Sequence, residues 1–142
     1  MSNTNIKIAQ DLYAAFGRRN VPAVLELLAP DVTWGMVGRE KDFPAAGVHN
    51  GKAGAGEFFR LLKDTKEITN FEPKRFLAAE DMVLEWGRYD WTMRLSGVAD
   101  SSEWLHVFTI RDGKVSAWRG HQDTAMLAEA YHATPAARHA AG

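Results

Sequence analysis

Residues 82–123 constrain the fold more than any other part of the chain. They hold three runs with strand character, separated by a turn at 96–100 and by Asp112-Gly113, a strong signal for a tight hairpin. Strands joined by such short turns pair as antiparallel neighbours. Alternate residues of a strand face the same side of the sheet. On the first strand, 82–95, Trp86, Arg88 and Asp90 share a side. On the second, 103–111 with Ser102 before it, the set is Ser102, Trp104, His106 and Phe108. On the third, 115–121, it is Ser116, Trp118, Gly120 and the adjoining Gln122. A face built only for packing has little use for an Arg, an Asp and a His among its aromatics, because each must be paired or hydrated. A face lining an apolar pocket with a few convergent polar groups does.

The first half of the chain reads as helical. Ile8, Ala9, Leu12, Tyr13 and Phe16 recur at helical spacing, and Gly17 is the expected stop. Asn20 is positioned to cap a short second helix with Pro22 in its first turn. A strand is expected at 32–37, with Val32, Trp34 and Met36 on one side. Residues 38–51 hold Pro44 and three glycines without a period, as in a loop over a pocket mouth. A third helix follows Asn50, with Phe58, Phe59, Leu61 and Leu62 as its apolar positions. A strand at 71–77 turns at 79–81 into the long strand, and Asp123 or Thr124 caps a short closing helix through Ala130.

Helices followed by consecutive strands predict an α+β fold. The specific expectation is a cone-shaped barrel of strongly curved antiparallel or mixed sheet, with three N-terminal helices on its concave face. It forms one domain over 1–132, and 133–142 reads as a disordered tail. The other face, assigned Tyr89, Trp91, Leu105 and Val107, is also apolar, which predicts a homodimer through the outside of the sheet.

Seventeen basic residues balance eighteen acidic ones across 142 positions, with no basic stripe, so a nucleic-acid partner is not expected. The absence of cysteine removes thiolate chemistry and Cys-ligated metals. No apolar run reaches membrane-spanning length and the first residues are polar, so a cytoplasmic protein with no membrane partner is expected. His49, His121 and Asp123 lack ligand spacing on one element, and no metal or other cofactor is expected. The expected partner is a small apolar or cyclic organic molecule. His106, with an ordinary pKa of ~6.5, suits proton transfer near neutrality. Asp90 is the candidate base and Arg88 its electrostatic partner, although Arg-x-Asp reads somewhat more readily as a structural ion pair. Trp34, Met36, Phe58, Trp86, Trp104, Phe108, Trp118 and Gly120 are the candidate substrate-binding positions.

Several short segments occur in a telling order: Leu12-Tyr-Ala-Ala-Phe-Gly-Arg-Arg-Asn20, Leu28-Ala-Pro-Asp-Val-Thr-Trp34, Ala46-Gly-Val-His-Asn-Gly51, Trp104-Leu-His-Val-Phe-Thr-Ile-Arg-Asp-Gly-Lys-Val115 and Asp123-Thr124. In this order the chain resembles the nuclear transport factor 2-like superfamily, in its SnoaL-like polyketide cyclase and steroid Δ-isomerase branch. The resemblance implies that His106 matches the pocket histidine of the cyclases, whose catalytic acid falls on Gly120 here. Arg88-Tyr89-Asp90 resembles the Arg-x-Asp of limonene epoxide hydrolases, whose second Asp again falls on Gly120. In the isomerases, the base position matches Met36. Their oxyanion-hole Tyr aligns with Leu12 better than with Tyr13, and their oxyanion-hole Asp falls near Ser102. No one mechanism transfers whole. Two readings follow: a cofactor-free acid–base enzyme of isomerase, cyclase or hydratase type, or a non-catalytic apolar-ligand or dimerisation domain of the same fold.

Overall fold

A computed structural model describes residues 2–134; residues 135–142, including His139 and most of the tail assigned to 133–142, lie outside the described residues. The order of elements is α1 (Ser2–Gly17), α2 (Val21–Glu26), β1 (Leu28–Met36), β2 (Gly47–Asn50), α3 (Gly51–Thr65), β3 (Lys66–Ala79), β4 (Met82–Met93), β5 (Ala99–Arg111), β6 (Lys114–Gln122) and α4 (Thr124–His132). Six strands form one sheet in the order β2-β1-β6-β5-β4-β3. All neighbours are antiparallel except β1 and β6, which run parallel. The sheet is therefore mixed and open, with β2 and β3 as edges, rather than a closed barrel. The α+β class and the cone-like wrap of helices on the inner face hold, and the expected closing helix, α4, follows the last strand.

Local signals place several boundaries. Asn20 accepts from the Ala23 backbone N–H at 3.1 Å and starts α2, and Asp123 does the same for Met126 at 3.0 Å at the start of α4. The left-handed residue that ends α1 is Arg19, not Gly17. Its φ is 59°, and the Arg19 and Asn20 amides close back on Phe16 and Ala15 at 2.8 and 2.9 Å. Three elements extend beyond their expected limits. β1 begins at Leu28, β3 at Lys66 and β5 at Ala99, and the irregular 38–51 segment contains the edge strand β2.

The register of β4 corrects the sequence reading. Its buried positions are Val83, Glu85, Gly87, Tyr89, Trp91 and Met93, and those between them face outward. Gly87 pairs with Trp104, Glu85 with His106 and Tyr89 with Ser102. Directly opposed residues share a face, so Trp86, Arg88 and Asp90 lie on the outside and Tyr89 and Trp91 on the inside. A one-residue slip in the assignment exchanges the two faces completely. The expected inner sets on β5 and at the end of β6 are in place: Trp104, Phe108, Trp118 and Gly120 are buried. On β6 a register shift beside Thr109 turns Val115 inward in place of Ser116.

Candidate functional site

Helices α1 and α3 lie across the inner face of the sheet and leave a cavity with a free volume of about 70 Å³. That is several times what one water needs. Trp34, Met36, Phe58, Trp104, His106 and Trp118, all expected pocket residues, line it together. Trp34 and Trp118 stack at 4.3 Å, and Phe58 leans against both. Phe108 is fully buried behind Tyr13 and does not line the cavity. Trp86, Arg88 and Asp90 are outside it, for the register reason given above.

Gly120 is explained by its neighbour. A Cβ there would lie 2.5 Å from the Trp118 indole, which folds flat over the glycine. The catalytic acid that the resemblance implies for this position is thus absent, and an aromatic wall from two residues earlier on the same face covers the place. Gly87 plays the same part beneath Trp104, whose indole approaches to 2.5 Å of its missing Cβ. Two inward tryptophans are thereby laid flat along the sheet instead of filling the space above it.

The polar centre of the cavity was only partly foreseen. His106 is there, but its partners are Tyr13 from α1 and Glu85 from β4. Tyr13 Oη lies 2.6 Å from Glu85 Oε1 and 2.7 Å from His106 Nδ1. Trp104 Nε1 also donates to Glu85 Oε1, and the Lys74 backbone N–H donates to Oε2 at 3.2 Å. Glu85 is wholly buried, and three donors are what make a carboxylate tolerable there. Burial raises its pKa, while the Tyr13, Trp104 and Lys74 hydrogen bonds pull it back. Tyr13 is held well above the ordinary phenol value, first by burial and then by the Glu85 charge. The imidazole of His106 stacks on Trp104 at 5.0 Å and on Tyr13 at 5.9 Å. Burial pushes it down to about 3, assisted by the charge of His121. The Glu85 carboxylate 3.8 Å away does not reverse this, because the Tyr13 hydroxyl stands between them.

These contacts order the protons. Ionised Glu85 only accepts, so Tyr13 donates to Glu85 and accepts from His106 Nδ1–H. Nε2 of His106 then keeps its lone pair. One buried side-chain polar atom lacks a partner among the described residues: the indole N–H of Trp34, which lines the same cavity.

The cavity continues into a vestibule of about 400 Å³, sharing Phe16, Phe59, Leu62, Lys66, Ile68 and Phe71 with it. Arg19, Lys63 and Arg94 stand on the vestibule wall, which includes no acidic residue. Tyr13 could have been found from the α1 periodicity, where it is as inward as Leu12. Glu85 needed the β4–β5 register.

The SnoaL-like domain family matches residues 9–118. An NTF2-like protein of Burkholderia xenovorans is 29% identical, with a TM-score of 0.84, over 93% of this chain and 98% of that one. An NTF2-like protein of unknown function from Burkholderia pseudomallei is 25% identical with the same TM-score, over 92% and 98%. TerC, co-crystallised with polyporic acid, is 25% identical with a TM-score of 0.79, over 92% and 99%. No curated protein matches the sequence.

Proposed function

The chain belongs to the SnoaL-like domain family of the NTF2-like superfamily, and from that premise we propose that it is an acid–base enzyme in which His106, Tyr13 and Glu85 relay a proton to and from a ring-shaped apolar substrate. The observation that carries this reading is the continuous chain from Glu85 through Tyr13 to His106 at the wall of an aromatic cavity. When Nε2 takes a proton from a carbon acid or a water, Nδ1–H passes to Tyr13 and the Tyr13 proton passes to Glu85. The reverse transfer delivers a proton to another atom of the substrate. A raised Glu85 and a depressed His106 suit this division, since the proton rests on the carboxylate and no buried imidazolium forms. Arg88 and Asp90 take no part.

The unpartnered Trp34 N–H is a donor for a substrate oxygen. The cationic vestibule favours a substrate bearing an acidic group, and the crystallisation of the relative TerC with an organic acid supports that class. The reactions within reach are isomerisation, cyclisation or hydration. The competing reading, a ligand-binding domain without turnover, draws on Trp118 covering the position of the relatives' acid. The outer face keeps an apolar strip of Leu77, Leu84, Trp86, Leu105 and Val107, and this strip, which retains the expected Leu105 and Val107 but not Tyr89 and Trp91, is the proposed homodimer surface. Light scattering on Trp86→Ser/Leu105→Ser checks it: a monomer is expected, against a dimer for the parent.

The test of the enzyme reading is proton exchange in deuterated water. Cyclic ketones bearing a carboxylate are incubated with the protein, and loss of the α-proton signal is followed by NMR. Catalysed exchange is expected, reduced at least a hundredfold by His106→Ala and by a smaller factor in Tyr13→Phe. Ligand-induced stabilisation without exchange supports the binding domain instead.

A further inference from the structure

Lys66 opens β3 at the junction of the cavity and the vestibule and lines both. It is 2% exposed. Its ammonium end lies over the rings of Tyr89, Phe43 and Trp91, at 4.6, 4.8 and 5.8 Å from their centroids. Nζ donates to Tyr89 Oη, and Tyr89 donates in turn to Gln122 Oε1 at 2.6 Å. Among the described residues no Asp or Glu forms an ion pair with it. Lysines are almost never buried this way without a counter-charge. Burial alone pushes Lys66 from its ordinary value to about 7, so a large fraction is free amine at neutral pH. The Tyr89 proton is committed to Gln122 and does not occupy the lone pair of that amine.

We propose that Lys66 is a carbonyl-capturing amine, whose Nζ condenses reversibly with an aldehyde or ketone entering from the vestibule. The lone pair of neutral Nζ forms a C–N bond to the carbonyl carbon. The displaced π electrons go to oxygen, which takes a proton from the nitrogen to give a carbinolamine. The hydroxyl then leaves with the remaining N–H proton as water, and a C=N bond stays on Lys66. Nothing is oxidised or reduced. The aromatic side chains that line the cavity, Phe71, Tyr89 and Trp104 among them, select flat unsaturated or aryl carbonyl compounds. The site shares its cavity with the His106 relay but uses none of the relay's residues.

Benzaldehyde with sodium cyanoborohydride, followed by intact mass and peptide mapping, tests the proposal on the whole protein. A single benzyl adduct is expected on Lys66, formed at least tenfold faster than on the other six lysines. Its rate should rise with pH through a midpoint near 7, where surface lysines stay protonated. Lys66→Met should abolish it, with the variant's thermal melt showing that the fold is intact, and His106→Ala should leave it unchanged. Labelling that follows surface exposure, or a parent-like adduct pattern in Lys66→Met, overturns the proposal. Should Lys66→Met fail to fold, the site and pH midpoint of labelling in the parent protein decide alone. Trapping in a parent protein that catalyses no α-proton exchange counts against the relay and not against Lys66.

Discussion

On the outer face of the sheet, Arg88 pairs with Glu72 at 2.7 Å and with Asp90 at 2.8 Å, and all three side chains are a third or more exposed. On the inner face, Glu85 is wholly buried and His106 lies 3.8 Å from it with Tyr13 between them. Both clusters hold a carboxylate and a nitrogen-bearing side chain. Outside, water screens the charges and the pairing mainly holds Asp90 ionised, through Ser101 and then Arg88. Inside, burial raises Glu85 and pushes His106 down to about 3, directions that suit proton exchange. Chemistry follows from desolvation, and residue type alone does not announce it.

The comparison breaks most visibly if Glu85 proves expendable. Glu85→Ala strands the Tyr13 hydroxyl, the Trp104 indole N–H and the Lys74 amide in a dry interior. Removing one member of such a buried network costs roughly 3–5 kcal/mol. Chemical denaturation should show that loss, with Glu85→Gln intermediate because its amide keeps one acceptor. A loss below about 1 kcal/mol would mean that the inner cluster is as solvated as the outer one.

Lys66→Met is next in size and opposite in sign. The Lys66 pKa falls from its ordinary 10.5 when unfolded to about 7 when folded, so between those values the unfolded chain binds the extra proton. Stability therefore falls as pH drops through that window and is flat below it. At about 1.4 kcal/mol per pH unit, the parent gives up roughly 3–5 kcal/mol by neutral pH, in part offset by the three ring contacts. Methionine at 66 should raise Tm at pH 7 and remove the slope between 7 and 10.5. A protein whose melting is indifferent to pH in that window would place Lys66 in water.

How much of this was legible is itself a matter of the two faces. The β5 set Trp104, His106 and Phe108 was readable, because Asp112-Gly113 pins the hairpin and its apolar members alternate cleanly. The β4 set was not. Its inward half begins with Val83, Glu85 and Gly87, and only then becomes the apolar Tyr89, Trp91 and Met93. Trp86 faces outward with Arg75 over its ring, giving the wrong face an aromatic as large as Trp91. Reading the whole strand to Met93 would have turned it the right way. Asn20 and Asp123 announced their helices, since caps are local. The β1–β6 parallel pairing joins residues more than eighty positions apart and leaves no local trace. Lys66 was illegible because 66–70 reads as a polar stretch, and its burial is imposed by the aromatics around it.

Gly120 sharpens the comparison at a smaller scale. Gly120→Ala forces a methyl into the Trp118 indole, which is itself stacked on Trp34. Overpacking of this kind costs roughly 1–3 kcal/mol. Adding Trp118→Ala makes room, so the double variant should be less unstable than the sum of the two single changes. Additive losses would show that the indole does not lie over the glycine.

The smallest effect belongs to the outer face, and its smallness is the point. Arg88→Ala removes the ion pair from β4 to Glu72 of β3 and the one to Asp90 within β4. Each partner stays hydrated, so no charge is stranded, and Tm should move by no more than about 2 °C. Sodium chloride at ~1 M should shrink even that difference, since exposed pairs at this separation are screened. In the α-proton exchange assay, Arg88→Ala and Asp90→Asn should match the parent within about twofold, while His106→Ala does not. A large loss of exchange in either outer variant, with Tm unchanged, would mean that the β4 register turns these groups toward the substrate, and the Glu85 relay would have to be abandoned.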